Sequence, residues 1–132
     1  TSLGNPLIWW AGAAAVFYLI YRLARYRDWR LGLILTGLAA GYLPWLLYIN
    51  RTIFQFYSIA FEPYLILGLA AAIAVVLGRR TDPTPRRRRG IAWVTVFLVA
   101  SAVLSIFFWP IWTGEQIPFW FWQMHMWLPS WV

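Results

Sequence analysis

Residues 60–80 read AFEPYLILGLAAAIAVVLGRR. From Leu65 to Leu77 no position carries a polar side chain, so neither a helix nor a strand built from it has a polar face. A surface helix of a soluble protein keeps one polar face, and a membrane β-strand alternates apolar with polar residues. A run apolar on all sides is a helix surrounded by apolar material. Pro63 and Gly78 bracket it, and Arg79-Arg80 closes it. It is short for a bilayer, which asks for about 20 residues, and it needs residues before Pro63 or local thinning of the bilayer to cross.

Three further stretches are free of charge: Thr1–Tyr21, Leu31–Asn50 and Gly90–Gly114. Together with the first they predict spans near 6–22, 31–49, 60–78 and 91–109. The first stretch is not a cleavable signal, because Arg22 and Arg25 follow its apolar run instead of preceding it. The expected fold class is an all-α membrane protein of four transmembrane helices. Composition agrees: of 132 residues 62% are apolar and 11% charged, against roughly 45–50% and about 25% in soluble domains. Soluble globular and disordered classes are disfavoured. The small residues Gly12 to Ala15, and Gly37 with Gly41, suit close helix packing in lipid.

Charge sets the expected orientation. Arg22, Arg25, Arg27 and Arg30 lie between the first two spans, and Arg79, Arg80 and Arg86 to Arg89 between the last two; only Arg51 lies elsewhere. Arginine-rich loops stay cytoplasmic, so loops 22–30 and 79–89 face inward, and both termini and the segment from Tyr48 to Glu62 face outward. The net charge of +7 comes almost wholly from these loops. No aromatic is interleaved with them to stack on bases, so no nucleic-acid partner is expected; membrane lipid with anionic headgroups is.

Chemistry is sparse. There is no Cys and a single His, which excludes disulfides, thiolate sites and multi-histidine metal sites. No nucleotide-binding or hydrolase motif occurs, and no cofactor is expected. The polar residues Arg51, Gln55, Ser58 and Glu62 are spaced 4, 3 and 4 apart, one face of a helix, although Pro63 disfavours helical geometry at Glu62. Arg51 either snorkels or pairs with Glu62, or its guanidinium fork holds a phosphate. Glu62 and Glu115 have no partner carboxylate and read as interfacial charges or salt-bridge partners. His125 reads as an interfacial hydrogen-bonding residue. The tail 110–132, rich in Trp and Pro, suits a broken segment on the outer leaflet.

Certain groups of residues resemble a known family: Asn5-Pro6 leading into Trp9-Trp10; Gly41-Tyr42-Leu43-Pro44-Trp45; Arg51-x-x-Phe54-x-Phe56-Tyr57 with Pro63-Tyr64; and the ending Met126-Trp127-Leu128-Pro129-Ser130-Trp131. In this order they resemble the C-terminal four-span region of the protein O-mannosyltransferases, in the bacterial, actinobacterial-type branch. Many eukaryotic members carry His-rich sequence after the matching Arg, and this chain does not.

The resemblance implies part of a GT-C type glycosyltransferase of the plasma membrane. Such an enzyme moves mannose from a polyprenyl-phosphate carrier to Ser or Thr hydroxyls of secreted proteins, without nucleotide or metal. The family's catalytic carboxylate belongs to an Asp-Glu pair in its first outward loop. No Asp-Glu pair occurs here, and Asp28 and Asp82 lie in the expected inward loops. No catalytic residue is therefore assigned, and the N-terminal part of the same enzyme is the expected partner. The chain starts at Thr1 and its methionines are Met124 and Met126, which also reads as a piece of a longer product, inactive alone. Arg51 is the implied phosphate contact, with Tyr42, Gln55, Tyr57 and Glu62 lining the donor cavity and Phe54, Phe56 and Phe61 packing. The alternative is a non-enzymatic four-helix scaffold or accessory subunit. A transporter is disfavoured, because no charge lies mid-span to form a pathway.

Overall fold

The computed structural model describes residues 4–47 and 55–127, apart from the side chains of Gln55 and Phe56. Its elements are α1 (Pro6–Tyr26), α2 (Trp29–Leu46), a 3₁₀ helix (Gln55–Ala60), α3 (Glu62–Leu77), α4 (Thr84–Thr113) and the short α5 (Phe119–Gln123). No strand occurs among the described residues. Two helices, α1 and α4, are long and apolar enough to cross a membrane. At a rise of 1.5 Å per residue they measure about 32 and about 45 Å, while α2 and α3 reach about 27 and about 24 Å.

The helices run up, down, up and down, with α3 touching the other three. Glycines supply these contacts. A Cβ at Gly12 of α1 would stand 2.8 Å from Leu65 Cγ, and Gly68 of α3 faces Leu19, so α1 and α3 run parallel. On α2, a Cβ at Gly41 would lie 2.9 Å from both the Ala60 carbonyl oxygen and Phe61 Cβ, and one at Gly37 would overlap the Tyr64 ring. At the other end of α3, a Cβ at Gly90 of α4 would overlap the Val76 carbonyl. The buried core is thin: Ala15, Leu19, Leu65, Leu69 and Phe108. Large apolar side chains instead cover the outside, Phe17 at 73% exposure and Ile106 at 75% among them. An apolar exterior around a small-residue interior is what lipid as solvent selects.

Both arginine-rich segments lie at one end of the bundle, but the loops are shorter than expected. α1 continues to Tyr26 and α2 begins at Trp29, leaving Arg27-Asp28 as the connection. Arg27 adopts the left-handed region at φ 52° and its N–H donates to the Leu23 carbonyl, while the Asp28 carboxylate accepts from the Arg30 N–H at 3.1 Å. Arg86 to Arg89 belong to α4. Arginine is a good helix former, so charge ends an apolar run without ending the helix. The tail differs too: α4 runs on to Thr113, Gly114 stops it at φ 69°, and the chain folds back through α5.

Gly41→Ala should lower stability by about 1–3 kcal/mol, the range for overpacking against a neighbour that cannot yield. The exposed Ala40→Leu in the same helix should leave it nearly unchanged. Thermal unfolding in detergent of the two variants checks this.

Candidate functional site

The end of the bundle away from the arginines collects aromatic rings. Phe61, between the 3₁₀ helix and α3, meets Trp9 edge-on at 6.2 Å between centroids and Tyr42 at 5.4 Å. Trp45, the penultimate residue of α2, lies 4.4 Å from the Tyr57 ring. The close approach at Gly41 makes room for this, because it seats Ala60-Phe61 directly on α2. Tyr42 is about half exposed and Tyr57 half-buried.

Glu62 opens α3, with Pro63 second in the helix. The expected departure from helical geometry at Glu62 does not occur, since a proline in the first turn gives up an N–H that would have no partner anyway. A carboxylate there also complements the positive end of the helix dipole. The segment before it is a 3₁₀ helix rather than an α-helix, and Phe61 interrupts it before α3. At three residues per turn, Ser58 and Glu62, four apart, do not fall on one face, so the 4-3-4 stripe is not continuous. Arg51 and the side chain of Gln55 lie outside the described residues. In sequence Arg51 sits between α2 and the 3₁₀ helix, the two elements that the Gly41 and Trp45–Tyr57 contacts hold together.

Two clamps border this end. Asn5 caps α1: its Oδ1 accepts from the N–H groups of Leu7 (3.0 Å) and Ile8 (3.3 Å). Its Nδ2 reaches α4, donating to the Ser101 carbonyl and to Ser105 Oγ, both at 2.9 Å. Asn followed by Pro is a legible helix start, but nothing in the sequence announces the crossing to α4. His125 is the hydrogen-bonding residue expected, and it is fully buried within the protein. Its ring stacks on Phe107 at 4.1 Å, and its nitrogens lie 2.7 Å from the Phe121 carbonyl oxygen and 2.8 Å from that of Phe107. It thus pins the returning tail to α4. No group of three or more metal-ligating side chains occurs among the described residues.

Known proteins were compared with the chain. It is 34% identical over 131 residues to the polyprenol-phosphate-mannose–protein mannosyltransferase of Mycolicibacterium smegmatis. The proteins of that name from Mycobacterium tuberculosis and Corynebacterium glutamicum are 30% and 32% identical over 129 residues each. The matches take in 97–98% of this chain. The chain is a homologue of these mannosyltransferases. It spans 25% of the length of these relatives. No family model and no solved structure matches it.

Several residues that carry the mannosyltransferase resemblance are packing residues here. Asn5 caps and clamps, Gly41 admits the turn before α3, Tyr64 covers Gly37, and Trp45 backs Tyr57. The Asn5 clamp can be separated from the cap. Asn5→Ser keeps a capping oxygen and loses the reach to α4, which should cost about 1–2 kcal/mol. Asn5→Asp also keeps the cap but turns a carboxylate oxygen toward the Ser101 carbonyl, and should cost more. Denaturation midpoints in detergent rank the two.

Proposed function

We propose that this chain is the C-terminal, four-span part of a plasma-membrane mannosyltransferase, whose full-length form moves mannose from a polyprenyl-phosphate carrier to Ser or Thr hydroxyls of secreted proteins. The observation that carries this reading is the homology along nearly the whole chain to proteins named polyprenol-phosphate-mannose–protein mannosyltransferases. The up-down-up-down bundle with both arginine segments at one end supports it, because that distribution keeps the arginines cytoplasmic and turns the aromatic end outward. Secreted acceptors are reached from that side.

In this reading the chain forms a wall of the donor site at the aromatic end. Transfer breaks the bond between the anomeric carbon and the carrier phosphate and forms one to the acceptor oxygen, whose proton goes to a carboxylate base. That base belongs to the N-terminal part of the enzyme, since no Asp-Glu pair is present here. The departing phosphate gains charge, and a positioned cation stabilises it. Arg51 fills that role, its planar fork matching phosphate oxygens. Tyr42, Gln55, Tyr57 and Glu62 line the space around the sugar phosphate.

In the full-length enzyme, Arg51→Ala should reduce transfer by about 10²–10³-fold, the range for losing one charge-stabilising donor. Protein level and thermal stability should not change, and Arg51→Lys should recover part of the loss. A mannose-transfer assay with an acceptor peptide measures this, and full activity in Arg51→Ala overturns the assignment. Orientation has its own test. The chain has no Cys, so Thr81→Cys and Gln116→Cys are clean reporters once cysteines of the full-length protein outside this chain are replaced by Ser. A membrane-impermeant thiol reagent applied to whole cells should label Gln116→Cys and spare Thr81→Cys.

A further inference from the structure

A groove of about 220 Å³ lies on the flank of the bundle between α1, α3 and α4. Its walls include Leu69, Ala72 and Val76 of α3 and Trp93, Val94 and Phe97 of α4, and no charged or hydroxyl side chain lines it. It begins one turn beyond the seat of Gly90 on the Val76 and Leu77 carbonyls. Its near end therefore opens beside Arg79, Arg80 and the first turns of α4.

Along α4, Arg86, Arg89, Trp93 and Phe97 follow one another at spacings of 3, 4 and 4, which places them on one face. The arginines at the mouth and the apolar wall thus belong to one continuous strip. Asp82 organises the loop: its Oδ2 accepts from the Arg79 N–H at 2.9 Å and pairs with Arg86 Nε at 3.2 Å. That is the ion pair among the described residues; Arg79, Arg80, Arg88 and Arg89 stay exposed with no acidic partner there. Arg22, Arg25, Arg27 and Arg30 stand at the same end, so ten arginines face two acids, Asp28 and Asp82. Trp93, 69% exposed, lies one turn inside the arginines, the depth at which indole rings settle in a bilayer.

We propose that this groove and its arginine mouth form a binding site for one anionic glycerophospholipid of the cytoplasmic leaflet. An acyl chain lies against Leu69, Ala72, Val76 and Phe97, and the headgroup phosphate sits between Arg79, Arg86 and Arg89. An apolar groove alone would accept any lipid chain. The arginines at its mouth outnumber the one carboxylate there, Asp82, and that excess charge selects an anionic headgroup, as basic pockets between transmembrane helices on the cytoplasmic side do. The proposal rests on the membrane placement given under Proposed function, and is independent of the transferase chemistry.

Native mass spectrometry of the full-length protein with added phosphatidylglycerol or phosphatidylcholine tests it. The wild-type protein should retain one phosphatidylglycerol in preference to phosphatidylcholine. In Arg86→Gln with Arg89→Gln that preference should fall about fivefold for each arginine removed. Ala72→Phe, which fills the groove, should lose both lipids; Val94→Trp does the same from the opposite wall should Ala72→Phe not fold. Unchanged phosphatidylglycerol retention in the arginine variant overturns the site. So does loss in that variant with retention in both groove variants, which would mean diffuse attraction to the surface. Recovery of a polyprenyl phosphate instead of a glycerophospholipid from the wild-type protein overturns the occupant. Labelling of Thr81→Cys from outside would overturn the membrane placement itself, whereas correct labelling without lipid preference removes only this site.

Discussion

In lipid an apolar helix gains nothing by exchanging acyl chains for another apolar helix, so association depends on how closely backbones can approach. The structure meets that constraint at α3. It is the helix with the most uniformly apolar sequence and no polar face to orient it, yet it contacts α1, α2 and α4, at Gly12, Gly37 and Gly90 of its neighbours, while the two residues just before it seat on Gly41. Both ends of the molecule inherit their form from these contacts. Gly41 lets Ala60-Phe61 rest on α2, which brings Tyr42 and Trp9 around Phe61. Gly90 seats α4 on the end of α3, which brings Arg86 to Arg89 beside Arg79 and Arg80.

The residues that mark the resemblance to the mannosyltransferases mostly do mechanical work. Asn5, Gly41, Trp45, Pro63 and Tyr64 cap, admit or cover, and each meets a partner distant in sequence or starts a helix. Chemistry occupies few positions in this quarter of the relatives' length. Arg51 is flanked in sequence by elements held through these packing residues, so the scaffold is what the family pattern makes most visible.

The helices were legible because uniform apolarity over a run such as Leu65–Leu77 has few physical explanations. Their ends were less so. Arg22, Arg25 and Arg86 to Arg89 end the apolar runs, but arginine supports a helix, so α1 and α4 extend through them. Pro63 marked a break that the structure places one residue earlier, because a proline at the start of a helix lacks only an unneeded donor. The 4-3-4 spacing of Arg51, Gln55, Ser58 and Glu62 assumed 3.6 residues per turn, and its described part, Gln55–Ala60, winds at three. His125 gave no signal of burial: its surroundings, Phe107 and Phe108, lie some 18 positions earlier, and only the fold-back of the tail brings them together.

The Asn5 clamp joins residues 96 positions apart in the chain. A ribosome makes α1 well before α4, so the Nδ2 group waits through the synthesis of α2 and α3 before its acceptors exist. Until then α1 can cap itself with Oδ1 and pack on α3, but its height relative to α4 is not set. Arrival of α4 locks that height, at Ser101 and Ser105, in a single step. Joining α1 to α4 is therefore a late stitch, and a chain stopped before α4 would leave α1 capped and packed on α3 but not tied across the bundle.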